Sequence, residues 1–127
     1  MNVVDSSGWL EYFAGTERLK FFAKAIEDTE KLIVPTITLA EVFKKVYKEA
    51  NEHDALKAIA HMKQGKVVDL DSHISLAAAK LGLEHKLPLV DSILLATANR
   101  HKATLWTQDS DFAEIAHVQF FPKRMKK

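Results

Sequence analysis

The stretch "VDSILLATANRHKATLWTQDSDF", residues 90–112, decides the fold. Its first half follows Pro88 and is apolar on nearly every side, and a proline suits the first position of a helix. A helix that is apolar all round is a buried one. "NRHK" ends it, "ATLW" reads as a short buried strand, and "TQDSDF" as a turn. A buried helix passing into a short apolar strand is half of a βαβ unit, from which parallel sheets are built. The same stretch carries three aspartates, Asp91, Asp109 and Asp111, at the edges of segments that read as buried. Carboxylates are usually placed where water reaches them, so their position needs a physical reason.

The pattern repeats on both sides. Upstream, "KVVDL" predicts a strand and "DSHISLAAAKLGLEHK" a helix begun by Asp71 or Ser72. Residues 54–63 predict a further helix, stopped by Gly65. "LAEVFKKVYKEAN" places Leu39, Val42, Phe43, Val46 and Tyr47 on one helical face and its lysines on the other. "KLIVP" and "NVV" are short apolar strands, separated by helices over "SGWLEYFAG" and "TERLKFFAKAIED". Downstream, "DFAEIA" allows one or two helical turns and "VQFF" a last strand. Strands alternating with helices imply an α/β domain with a mostly parallel sheet covered on both faces. Without repeats or linkers, residues 1–127 read as one such domain.

Composition bounds the function. A chain of 127 residues, 47% hydrophobic and 28% charged, is ordinary for a soluble domain. The absence of cysteine removes disulfides, thiol nucleophiles and cysteine zinc sites. No apolar run approaches the roughly 18 residues of a membrane span, and "MNVVDSSGW" lacks the basic start of a signal peptide, so a cytoplasmic protein is expected. The net charge of +1 is too small for a nucleic-acid coat. Lys44, Lys45 and Lys48, and the closing "KRMKK", read first as a solvated helix face and a soluble tail.

Five acids fall at element ends: Asp5 after the first strand, Glu41 in the first turn of a helix, Asp91 in the first turn of another, and Asp109 and Asp111 after "ATLW". Each has a structural explanation. Asp5 would cap the next helix, "TLAE" from Thr38 to Glu41 has the form of a capping box, Asp91 gains from its helix dipole, and Asp109 or Asp111 suits a turn. In an open parallel sheet, however, the carboxyl ends of the strands share one edge, where ligands bind. Unpaired carboxylates about 4 Å apart repel by roughly 4 kcal/mol at an effective dielectric of about 20. A hard divalent cation neutralises such a cluster directly, and an all-oxygen set suggests Mg²⁺ or Mn²⁺ over zinc. The six histidines are scattered, without an H-x-x-x-H pair, and read as surface residues. There is neither a G-x-S-x-G elbow nor a Gly-rich phosphate loop.

These residues resemble a known family. "VVDSSGWLEYF", "VPTITLAEVF" and "LPLVDSILLATANRHKATLWTQDSDF" are similar, in order and spacing, to the acidic motifs of PIN-domain ribonucleases, and within them the VapC-type toxins of toxin–antitoxin pairs. The likeness covers essentially the whole chain. It implies an α/β/α sandwich and cleavage of RNA dependent on Mg²⁺ or Mn²⁺. Products would carry a 5′-phosphate and a 3′-hydroxyl. It also implies a homodimer and inhibition by a small VapB-like antitoxin. Asp5, Glu41, Asp91 and Asp109 would be the catalytic, metal-holding set, Asp111 an accessory ligand, and Ser6 and Thr107 supports behind them. The lysines then gain weight as phosphate contacts. Two departures stand out: Ser92 where alanine is common, and Trp106 where a smaller aliphatic residue is usual.

Two rivals remain. A receiver-type signalling domain would use Asp69 or Asp71 with Lys123, but it wants paired acids where this chain has "DSS", and it leaves Glu41 and Asp91 idle. A catalytically inactive PIN-like binding module would have no reason to retain a repulsive acidic set.

Overall fold

The computed structural model describes residues 1–122. Strands β1 (Asn2–Val4), β2 (Leu32–Pro35), β3 (Lys66–Val68), β4 (Thr104–Thr107) and β5 (Val118–Phe120) form one all-parallel sheet in the order β3-β2-β1-β4-β5. Six helices flank it: α1 (Ser6–Ala14), α2 (Leu19–Ile26), α3 (Thr36–Glu49), α4 (Glu52–Met62), α5 (Ser72–His85) and α6 (Leu89–Arg100). Successive strand residues serve opposite faces, as the pleat requires. Val4, Leu32 and Val34 pack with Trp9, Phe22, Val42 and Met62 of α1–α4. Val3, Ile33 and Leu105 pack with Leu94, Leu95 and Ala98 of α6. Ile74 and Ala78 attach α5 to the outside of α6. The α/β/α sandwich implied by the resemblance is therefore present, and the sheet, expected from the alternating elements to be mostly parallel, is parallel throughout. No helix among the described residues is long and apolar enough to cross a membrane.

Local chemistry sets the element ends. Gly15 closes α1 with a left-handed φ of 67°, which glycine adopts freely. Asn51 and Asp71 accept the capping hydrogen bonds of α4 and α5, from Asp54 N–H and Ile74 N–H, each at 2.8 Å. Gly8 lets α1 approach the sheet: a Cβ there would lie 2.6 Å from the Phe22 ring and 2.8 Å from Val4. That approach places Asp5 and Ser6 directly over the end of β1.

Several expectations shift by a turn. α3 begins at Thr36, three residues before the apolar periodicity at Leu39, so Glu41 lies in its second turn. The capping box does not form. Thr38 is buried inside the helix, its hydroxyl donating to the Pro35 carbonyl, and the N-cap is Pro35. Tertiary burial has drawn the β-branched "TIT" into a helix against its propensity. Pro88 is the N-cap of α6, one place outside the first helical position. "DFAEIA" yields only a 3₁₀ turn, Ser110–Phe112, because burial of Phe112 holds that turn while Ala113 and Glu114 face solvent.

The two departures find packing roles. Ser92 is buried, its hydroxyl donating to Pro88 O at 2.9 Å, and it packs where Gly82 of α5 leaves room. The Trp106 ring meets that of Phe21 of α2 in a tilted contact, centroids 5.1 Å apart, and its Nε1 donates to Asn2 Oδ1 at 2.9 Å.

Candidate active site

The chain runs outward from β1 to β2 and β3, then returns to β4 and β5 on the other side of β1. The crevice between the carboxyl ends of β1 and β4 is thus the topological switch point, the usual ligand site of such sheets. Asp5 leaves β1 there, and Asp109 leaves β4 there. Asp91 arrives from the first turn of α6 and Glu41 from α3.

Two hydroxyls bind the set together. Thr107 Oγ1 donates to Asp5 Oδ2 at 2.8 Å and accepts from Asp109 N–H at 3.0 Å. Ser6 Oγ donates to Glu41 Oε1 at 2.8 Å and lies 3.3 Å from Asp5 Oδ1. Asp5 stands at the N-cap position of α1 but makes no side-chain cap bond; its carboxylate is turned to Thr107 instead. Asp109 does cap, accepting from Asp111 N–H at 2.9 Å. That bond folds the turn so that Asp91, Asp109 and Asp111 each offer a carboxylate oxygen within 4.8 Å of the others. A cavity of about 610 Å³ opens over the set, lined by Asp5, Ser6, Ser7, Asp91, Gln108, Asp109 and Ser110, with Phe120 and Pro122 as a wall. No cation lines it among the described residues.

The electrostatics register this crowding. Asp91 is pushed up to about 7, first by its partial burial and then by the charges of Asp5, Asp109, Asp111 and Glu41. Burial also raises Asp5, against the opposing hydrogen bond from Thr107. A cluster that holds a proton near neutrality lacks positive charge. The donor set is carboxylate oxygen, and two further oxygens at this cavity, Ser7 Oγ and Gln108 Oε1, are sealed from solvent without a hydrogen-bond partner. Hard oxygen donors in excess of protons to share fit Mg²⁺ or Mn²⁺.

All the acids singled out in the sequence meet here. Asp111, ranked as an accessory, belongs to the tightest trio, whereas Glu41 is joined to the set through Ser6. Ser7, Gln108, Phe120 and Pro122 were not anticipated; no residue type or spacing marks them. The receiver-type alternative fails, since β3 is an edge strand and Asp71 caps α5. Its Lys123, like the "KRMKK" segment, lies outside the described residues. The histidines stay apart from the cavity: His53, His73, His85 and His117 are exposed, and His61 packs among the rings of Trp9, Tyr12 and Phe13.

A doubly covered parallel sheet with a carboxylate cavity at its switch point defines the class. The chain belongs to the PIN domain family, whose sequence pattern matches residues 3–118. No curated protein sequence matches it. Among solved structures, a toxin–antitoxin complex from Klebsiella pneumoniae is similar at 27% identity and a TM-score of 0.78, over 93% of this chain and 95% of that one. The sarcin–ricin loop cleaving toxin VapC20 of Mycobacterium tuberculosis shares the fold at 17% identity and a TM-score of 0.78, over 96% of this chain and 100% of that one. So does DNA-bound VapBC from Salmonella typhimurium, at 14% identity and a TM-score of 0.74, over 95% and 96%.

Proposed function

We propose that this chain is a Mg²⁺- or Mn²⁺-dependent endoribonuclease and the toxin of a two-protein toxin–antitoxin pair. The observation that carries the reading is the convergence of Asp5, Glu41, Asp91, Asp109 and Asp111 on one switch-point crevice. The similarity to the Klebsiella complex supports the pairing with an antitoxin.

Asp5, Asp91 and Asp109 would hold the ion, with Glu41 and Asp111 completing its surroundings. When bound, a divalent ion supplies a Lewis acid for the phosphodiester and lowers the pKa of water. The chain's own part is to fix the acids. Thr107 and Ser6 hold the Asp5 and Glu41 carboxylates in one orientation, and the Asp109 cap sets Asp111. Hydrolysis at the P–O3′ bond would leave a 5′-phosphate and a 3′-hydroxyl.

Two partners complete the proposal. An antitoxin that inserts an arginine or lysine among the acids would supply the charge the cavity lacks, since a guanidinium pairs bidentately with carboxylates. A second copy of the chain would cover α5, where Leu76 and Leu83, seven residues apart, are 70% and 85% exposed. Sedimentation is expected to give a dimer mass for the wild type and a monomer mass for Leu83→Glu; identical masses would remove α5 from the interface.

The deciding experiment incubates the purified chain with total cellular RNA in Mg²⁺ or Mn²⁺, and in chelator. Cleavage in metal alone is expected, with growth arrest on expression and relief on co-expression of a small partner protein. A folded chain that binds RNA but cuts nothing in either metal would leave the inactive binding module as the correct reading.

A further inference from the structure

The cavity over the acids has a lining of two kinds. Asp5, Asp91 and Asp109 bring carboxylates, whereas Ser7, Gln108 and Phe120 carry no charge. Gln108 is only 7% exposed, and its Oε1 is sealed from solvent without a hydrogen-bond partner. Ser7 Oγ is in the same state. Buried polar atoms are nearly always paired, and an unpaired one keeps its full desolvation cost. Two such atoms at one cavity point to a ligand that brings their partners. The carboxylates already surround an ion, so neither atom is needed to hold it.

Gln108 is set by its neighbours in the chain. Thr107 before it is bonded to Asp5, and Asp109 after it caps the next turn. The backbone is thus fixed on both sides, while no bond at Oε1 holds the carboxamide. Rotation about the side-chain bonds turns it into the cavity without breaking one there. Phe120 is half-buried and pairs in register with Thr107. In-register neighbours face the same side of a sheet, so the ring lies on the side of the Thr107 hydroxyl and Asp5. The backbone just beyond it is clamped. Phe121 N–H donates to Thr107 O at 2.9 Å. The Arg18 guanidinium, 4.2 Å above the Phe121 ring, donates to Phe121 O at 2.6 Å and to Pro122 O at 3.0 Å. A ring on an edge strand is thereby made a firm platform.

A ring face beside a carboxamide is how proteins hold an unstacked base: the ring stacks on it, and the amide pairs with its edge. A phosphate subsite would call for cations, and none lines this cavity among the described residues. Its volume of about 610 Å³ lies in the range of small-molecule sites. We infer that Ser7, Gln108 and Phe120 form a nucleobase subsite, which holds the base beside the phosphate that is cut and so selects the RNA sequence. Gln108 reads the base edge, Phe120 stacks on the base face, and the Ser7 hydroxyl meets a polar atom of the same nucleoside. The inference rests on the ribonuclease reading and names the part of the substrate that enters the neutral side of the cavity.

The test measures binding by calorimetry in Mn²⁺. The probes are the 5′- and 3′-monophosphates of adenosine, cytidine, guanosine and uridine, which contain no internucleotide bond to cut. The wild type is expected to prefer one base over the least favoured by roughly tenfold or more. Gln108→Leu, which fills the same space, should remove most of that preference. Phe120→Leu should weaken all four bases by about fivefold or more, since stacking tolerates any base. Mn²⁺ alone should bind all three proteins equally. Equal affinity for the four bases in the wild type, or none for any, overturns the inference. So does a Gln108→Leu protein that keeps the preference but loses Mn²⁺ affinity, which would assign Gln108 to the ion. If Phe120→Leu fails to fold, as its melting curve would show, Gln108→Leu decides alone. Metal-dependent cleavage of RNA by the wild type tests the ribonuclease reading separately, so the two can fail independently.

Discussion

Asp5→Asn, Asp91→Asn and Asp109→Asn are each expected to reduce RNA cleavage by at least about a hundredfold, since even residues that merely orient metal ligands are worth 10–100-fold. Glu41→Gln should fall in the same range, because its carboxylate shares Ser6 with Asp5. Asp111→Asn is expected to cost less: its side chain is exposed, and the turn that carries it is folded by its N–H, which the substitution keeps. Thr107→Val keeps shape but removes the hydroxyl that joins Asp5 to the Asp109 backbone. Its activity should drop by about 10–100-fold. The measurement is the single-turnover rate on one defined RNA, with far-ultraviolet circular dichroism to verify the fold. Near-wild-type rates in two or more of the Asp5, Glu41, Asp91 and Asp109 variants would sink the site assignment.

The second large effect is on stability, and its sign is opposite. In metal-free buffer, Asp91→Asn is expected to melt several degrees above the wild type, because it removes one charge from a repelling set. The pH dependence follows. Asp91 holds its proton up to about 7 in the folded state against a reference value of 3.8. Between those values the folded chain binds more protons than the unfolded one, so stability falls as pH rises through the window. Asp5, also raised by burial, acts in the same direction. The advantage of Asp91→Asn should therefore be small near pH 4 and largest above pH 7. Mg²⁺ or Mn²⁺ at a hundredfold excess over its dissociation constant should stabilise the wild type by about 2.7 kcal/mol, and the variant by much less. A variant that melts lower in chelator at pH 8, with metal moving both proteins equally, would show that Asp91 is only a helix-end residue.

Much of this was readable before any coordinates. Short apolar runs marked the strands because a strand buried on both faces has no polar side to show. Asp5, Asp91 and Asp109 were legible because each interrupts such a run at its end. What escaped depends on contacts distant in sequence. The start of α3 is set by burial of Thr38 beneath the sheet edge, and β-branched "TIT" hides it. The closeness of Asp111 to Asp91 depends on one backbone hydrogen bond in a turn. Gln108 has no distinguishing neighbour, and Arg18, whose guanidinium donates to the Phe121 and Pro122 carbonyls, is 103 and 104 positions from its partners.

The Thr107–Asp5 bond spans 102 positions, and β1, the central strand, has β4 as its second neighbour. During synthesis the ribosome delivers β1, β2 and β3 long before β4. Until β4 emerges, β1 has one edge unpaired, Asp5 has no threonine to orient it, and Asp109 does not yet exist. A chain that stops before β4 therefore lacks the assembled acidic cluster, however well its first hundred or so residues fold. In this PIN domain, the sheet order itself delays assembly of the acidic site until β4 has been made.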